Sequence, residues 1–391
     1  MLLLAAAIAV SAGFDGGSVG RVEQVAPGHL RCAVKGQADQ NNRNRQANWF
    51  YFRLDNLPRR EIRVAFTDLV GEYNFRPGTH SVTKYSRPLF SYDDRTWTHF
   101  VSDQVSWDEK EVTFTVRFTP DRSTMWISHM VPYGKRELNA LLALRDPHLH
   151  RETIGRTVHG GEIPLLTVTD KSSPDAGKKV IWLMARQHAW ETATSFVAEG
   201  AVRFLLSKDP EAERIRRAAV FKIIPVFDID GMSEGAVRFN ANGFDNNRNW
   251  DTADPKMMPE IASVRKAMLA WLDAGRPIDV FLAMHNTEST DYVDGPAVDP
   301  EIKPVADTLV GKLRELTNFY DPRSPRDSMS ATPDKGRYTV NQHFYKERKL
   351  PAFLMELMVE GHPNMKRPRS TQEYLEFGAG LVKSLEAAAR K

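Results

Sequence analysis

Four apolar runs in the later part of the chain leave it few folds to adopt. They are Val180-Ile181-Trp182-Leu183-Met184, Phe221-Lys222-Ile223-Ile224-Pro225-Val226-Phe227, Ile278-Asp279-Val280-Phe281-Leu282-Ala283-Met284 and Ala352-Phe353-Leu354-Met355-Glu356-Leu357. None alternates cleanly between apolar and polar positions, so each reads as a strand buried on both faces. Helical spacing follows or separates them, over Glu191 to Leu206, Met258 to Ala274, Val305 to Asn318 and Thr371 to Arg390. The stripe Val305, Leu309, Leu313, Leu316 is expected to pack into the core. This alternation predicts an α/β fold with a mixed, largely parallel sheet flanked by helices.

Upstream the period changes. Phe50, Phe52 and Leu54 alternate with polar neighbours, and so do Phe114, Val116 and Phe118. Turn clusters at Pro77-Gly78 and Tyr92-Asp93-Asp94 punctuate the stretch. Val22 to Val34 has room for a strand pair, and Leu138 to Leu144 for a short helix. An all-β sandwich over residues 20–150 is therefore expected ahead of an α/β domain over residues 151–391, with Arg151 to Gly161 as the link. A chain of 391 residues suits two domains. Residues 1–12, from Met1 to Ala12, read as the apolar core of a signal peptide cleaved after Ala12, although only the amino terminus supplies positive charge. That favours an exported, periplasmic or secreted protein over a cytoplasmic one. The alternative is a short apolar first strand.

Charge excludes one class of partner. Lys and Arg number 53 against 50 Asp and Glu, the net charge is +3, and no basic run stands out, so nothing favours nucleic acid. One cysteine, Cys32, permits no intramolecular disulfide and no thiolate metal cage. No apolar run reaches the roughly 20 residues of a membrane span.

The chemistry gathers at the ends of the buried runs, where open α/β sheets carry their sites. After the first run comes His188-Ala189-Trp190-Glu191. At helical spacing an imidazole and a carboxylate three apart share a face, a two-point claw for a borderline-soft cation such as Zn²⁺. Alone the motif also fits an ordinary polar pair. His285 ends the third run and can be a satisfied core histidine or a further ligand, since a catalytic zinc takes three protein ligands and leaves one position open. Glu356 is one carboxylate in an apolar run, a setting that raises a pKa and suits a general base. Between them lie Asp228-Ile229-Asp230-Gly231, Arg238 and Asp245-Asn246-Asn247-Arg248-Asn249-Trp250-Asp251. Asn247 beside Arg248 can grip a carboxylate through an amide and a planar guanidinium fork. The same segment also reads as an Asn-rich turn stapled by its own side chains.

In chain order these motifs resemble the zinc metallocarboxypeptidase family, that of carboxypeptidases A and B. His188-x-x-Glu191 is similar to its first two ligands, Asp228-Ile229-Asp230-Gly231 to its Asn-Pro-Asp-Gly turn, Asp245 to Trp250 to its substrate-carboxylate segment, His285 to its third ligand and Phe353 to Leu357 to its catalytic glutamate strand. Asn48 to Leu54 and Met130 to Gly134 resemble the β-domain of the cytosolic carboxypeptidase subgroup. The chain departs from the pattern at Asp228, Ile229 and Asn246, and in Asn286-Thr287 after the histidine. The tyrosine of the digestive enzymes has no clear counterpart, though Tyr338 and Tyr345 lie in the corresponding region.

The resemblance implies one Zn²⁺ per chain held by His188, Glu191 and His285, with a water in the open position. It implies Glu356 as general base, Arg238 as oxyanion partner, and Asn247 and Arg248 as anchors for the terminal carboxylate. Asp245 would orient a ligand histidine, and Arg337 could supply a positive pocket for the glutamate that the cytosolic subgroup often trims. The expected activity is removal of the C-terminal amino acid from peptides or protein tails. Two other readings stay open: a zinc deacylase or amidase on small N-acyl amino acids or cell-wall peptides, and a silent binding module on the same fold.

Overall fold

The computed structural model describes residues 7–78, 81–330 and 332–391. The first third is β-rich. One five-stranded sheet joins β1 (Ala9–Ser11), β6 (Tyr51–Asp55), β14 (Met125–Ser128), β10 (Leu89–Ser91) and β11 (Thr98–His99). A second joins β12 (Val105–Asp108), β13 (Thr113–Phe118), β7 (Ile62–Thr67), β3 (His29–Ala33) and β2 (Val22–Ala26). A small sheet is made by β4 (Gln37–Ala38), β5 (Arg45–Gln46), β8 (Glu72–Tyr73) and β9 (Arg76–Pro77). Phe50, Phe52 and Leu54 sit between the two larger sheets with Phe66, Phe114 and Val116. Tyr51 points the other way and packs, with Trp49, Met130 and Tyr133, into the core of the following α/β part.

The segment read as a removable leader is corrected in part. Residues 1–6 lie outside the described residues, but Ala9–Ser11 pair antiparallel with Arg53–Asp55 as an edge strand. The backbone bonds of that stretch belong to the sheet. Among the described residues no helix is long and apolar enough to cross a membrane.

The α/β part is built on an eight-stranded mixed sheet in the order β15 (Leu149–Arg156), β16 (Glu162–Val168), β18 (Ala219–Ile224), β17 (Lys179–Ala185), β19 (Val280–Thr287), β22 (Ala352–Met358), β20 (Tyr292–Gly295), β21 (Arg326–Asp327). The central strands run parallel: β17 beside β18 and β19, and β19 beside β22. The segment expected as a link is largely β15, an edge strand whose side chains stay mostly exposed. Helix α1 (Lys135–Leu142) precedes the sheet. On one face lie α2 (Thr192–Leu205), α3 (Pro210–Ala218), α6 (Lys303–Leu316) and α8 (Thr371–Ala389), and on the other α5 (Pro259–Asp273) and α7 (Val340–Arg348). The Asp228 cluster is no simple turn. Asp228 caps α4 (Ile229–Glu234), accepting from Gly231 N at 2.9 Å, and Gly235 ends that helix at φ +64°.

Candidate metal centre and adjoining cavity

Strand β17 delivers the first motif. Where it ends, Arg186 takes a left-handed φ of +59° although it is not glycine, a conformation that costs energy and marks a constrained turn. Its buried guanidinium donates to Ala189 O at 2.7 Å and to Tyr133 O at 2.6 Å, so it ties the turn to the segment leaving the β-rich part. Trp190 stacks on His129 of that segment with ring centroids 6.0 Å apart. His188 and Glu191 are not on a helical turn. Glu191 N bonds His188 O at 3.2 Å, and Glu191 is the residue that enters α2. The turn brings the pair to one side all the same.

His188, Glu191 and His285 are all buried, and one donor atom from each lies within 4.8 Å of the others. Glu191 Oε1 is 2.8 Å from His188 Nδ1, and Oε2 is 3.0 Å from His285 Nδ1. The two Nδ1 atoms are 3.2 Å apart. Each outer nitrogen faces an acceptor: His188 Nε2 meets Asp245 Oδ1 at 3.2 Å, and His285 Nε2 meets Gln187 Oε1 at 3.0 Å. A neutral imidazole carries one proton, so those contacts put it on Nε2 and turn the Nδ1 lone pairs inward. Two lone pairs and a buried carboxylate then converge on one point. That is a Lewis-base set suited to zinc, and residues of this kind and number fit a three-ligand site. Burial works against the Glu191 carboxylate, but the two imidazoles hold its pKa low.

The surrounding charges are ordered. Burial raises the Asp245 carboxyl, yet Arg238, whose Nε donates to Asp245 Oδ2 at 2.8 Å, and His188 outweigh it and hold its pKa well below the usual range. Gln37 of the small sheet fixes the Arg238 segment: its Oε1 accepts from Val237 N, Arg238 N and Phe239 N at 3.0, 2.7 and 2.8 Å. Glu356 stands beside His285 in the parallel register of β19 and β22. Among the described residues its Oε2 has no partner, and burial, then Glu191 and Glu288, push its pKa well up. Asn247 Oδ1 accepts from Val340 N at 3.0 Å, while its Nδ2 lies 3.2 Å from His285 Nε2, a contact between two donors once that nitrogen gives its proton to Gln187. Arg248 donates to Asn247 O at 2.7 Å. With Arg238 and Arg337 it lines an adjoining cavity of about 420 Å³, to which Arg43, Tyr73 and Lys335 also contribute. Burial, then Arg238 and Arg337, lower the pKa of Arg248, as crowding among cations does.

Two tyrosines flagged in the sequence are occupied elsewhere. Tyr345 OH donates to Asp299 at 2.8 Å, and Tyr338 OH pairs with Lys346. The tyrosine next to Glu356 is Tyr292, its register partner on β20. Sequence reading passed over Tyr292, Asp294 and Gln187. The first two sit on a four-residue strand, and the signal that was available is the alternation Tyr292, Val293, Asp294, whose middle residue is the buried one.

A family model described as zinc carboxypeptidase matches residues 136–292, and one described as cytosolic carboxypeptidase N-terminal domain matches residues 10–130. The chain is 30% identical to cytosolic carboxypeptidase 6 of Caenorhabditis elegans over 66% of its own length and 57% of that protein. With cytosolic carboxypeptidase 1 of Danio rerio it shares 30% identity over 62% of its length and 24% of the relative. It thus spans between a quarter and somewhat over half of these two relatives. An uncharacterized protein of Zymomonas mobilis is 24% identical over 94% of this chain and 93% of its own. The fold is that of a metallo-carboxypeptidase from Burkholderia cenocepacia, with a TM-score of 0.84 at 21% identity covering 98% of this chain and 99% of that one. Two matched models in tandem show that the chain carries a zinc carboxypeptidase domain behind a cytosolic carboxypeptidase N-terminal domain.

Proposed function

We propose that this protein is a zinc-dependent carboxypeptidase that removes the C-terminal amino acid of peptides or protein tails. The observation that carries the reading is the inward convergence of His188 Nδ1, His285 Nδ1 and Glu191, with both outer nitrogens facing acceptors. Zinc bound there supplies a Lewis acid that polarises a carbonyl and makes water acidic near neutrality. Glu356, with its raised pKa, takes the proton of the attacking water and hands it to the leaving amine. Arg238 faces the charge that grows on the carbonyl oxygen. Arg248 and Arg337 hold the terminal carboxylate in the cationic cavity. Asn247 packs against His285 and, through its backbone carbonyl, holds the Arg248 head group. Asp245 orients His188. The relatives named as cytosolic carboxypeptidases support a protein that works inside the cell.

Purified protein should bind about one zinc per chain. It should release the last residue of free-carboxylate peptides and leave C-terminally amidated peptides intact. Absence of zinc binding, or equal cleavage of free and amidated peptides, contradicts this reading.

A further inference from the structure

Val237, Arg238 and Phe239 follow α4 outside any helix or named strand. Their three successive N–H groups converge on one atom, Gln37 Oε1. Successive N–H groups aimed at one point form a nest, a concavity that favours an oxygen. Gln37 Nε2 completes the grip by donating to Phe239 O at 2.6 Å. Val237 and Phe239 are buried, and among the described residues no other acceptor takes these three N–H groups. A buried N–H without an acceptor is costly, so the conformation of the segment depends on this one amide.

Gln37 belongs to the β-rich part. Its hairpin, β4 and β5, is tied there by Arg45, which donates to Asp68 O, Val70 O and Val34 O at 3.2, 2.9 and 3.1 Å. The same hairpin meets the far limb of the loop that runs from Arg238 to Asp245. Gln40 N donates to Gly243 O at 3.1 Å, and a Cβ on Gly243 would stand 2.5 Å from Gln40 N. Within the loop, Arg238 Nε is held by Asp245. Arg238 Nη1 and Nη2 take no hydrogen bond among the described residues. Burial opposes the charge of this guanidinium, but Asp245, Glu191 and Glu356 outweigh it, which places the group beside the metal centre.

We infer that Gln37 is a positioning residue for the reaction: through one side-chain amide, the β-rich part holds the arginine that meets the charge growing on the carbonyl oxygen. This rests on the carboxypeptidase reading and on the place of Arg238 in it. Gln37 fixes the Arg238 backbone and Asp245 fixes Nε, so both terminal nitrogens stay free for a substrate oxygen. Without the amide, three N–H groups lose their acceptor and the segment rearranges, carrying the guanidinium with it. Arg248 is held separately, on Asn247 O, so the anchor for the terminal carboxylate stays in place.

The test uses zinc-loaded protein and a free-carboxylate peptide, assayed well below the melting temperature. Gln37→Met keeps a side chain of similar length but has no amide. It should lower kcat about 30- to 100-fold, the cost of slightly misplacing a charge partner, and leave KM within about threefold. A phosphonate analogue of the peptide carries its charge on tetrahedral oxygens, as the transition state does, and calorimetry should show it binding Gln37→Met about 30-fold or more weakly than the native protein. Zinc content should not change. Gln37→Glu keeps an acceptor for the three N–H groups and should hold kcat within about fivefold of native. A Gln37→Met protein with native kcat and native phosphonate affinity overturns the inference and leaves the carboxypeptidase reading standing. So does a loss of kcat that comes with loss of zinc, with a matching rise in KM, or equally in Gln37→Glu. Failure of the native protein to cleave the peptide overturns both.

Discussion

Glu356 is a carboxylate placed where ionisation is opposed. Burial comes first, Glu191 and Glu288 add repulsion, and Arg238 gives partial relief. Glu356→Gln keeps shape and volume and should retain zinc, because the glutamate is not among the three converging donors. It should lower kcat by about 10²- to 10⁴-fold, the usual contribution of a general base. Metal analysis beside turnover checks this, and near-native turnover would put the base elsewhere. Asp294 yields a different prediction, on stability. The unfolded chain loses this proton at roughly pH 4, the folded chain at about 6. Between those values the folded state holds more protons, so stability falls as pH rises through the window. Asp294→Asn removes that penalty. The variant should gain about 1–3 kcal/mol relative to the native chain on going from pH 4 to pH 7. Denaturant unfolding at both pH values measures it, and an unchanged difference refutes it.

Helices α2 and α8 are in contact at two glycines. A Cβ on Gly200 would stand 2.0 Å from Leu375 O, and one on Gly378 would stand 2.3 Å from Val197 O. In an open helix Gly→Ala gains about 1 kcal/mol in propensity. Here the neighbour is backbone and cannot step aside, so Gly200→Ala should cost about 1–3 kcal/mol instead. A rise in melting temperature would show that the helices separate freely. The same scale shows what could be read from sequence. Strands β17, β19 and β22 were legible because both faces are buried and their residues are mostly apolar without alternation. Strand β15 was not, because an exposed edge strand carries no burial pattern. Helix α7 was missed for the opposite reason: it buries Asn341 and His343 beside Val340 and Phe344, so polarity hides its inner face. The metal-centre residues stood out because polar groups at the ends of apolar runs are costly. Of the two amides that contact His285, Asn247 was ambiguous, since amides in turns usually serve the turn, and Gln187 was passed over.

Across the whole molecule one core does not respect the change from β to α/β. Trp49, Tyr51, Met130 and Tyr133 are buried with Trp190, Phe196 and Val237 in a single cluster. The clasps of Gln37 on the Arg238 segment and of Arg186 on Tyr133 O cross the same boundary. Losing either half would strip apolar surface and hydrogen-bond partners from the other. Calorimetry should therefore show one cooperative transition, with calorimetric and van 't Hoff enthalpies in agreement. Two resolved peaks would mean that the halves unfold separately. The β-rich half also contains Cys32, which is buried and whose thiol burial pushes up to about 12. A thiol so protected is a poor nucleophile toward maleimides and disulfides. The sequence has no other cysteine. A single cysteine introduced at exposed Tyr85 would then be the selective attachment point for a fluorophore or spin label, so the native chain can be labelled at one chosen site without first removing a thiol.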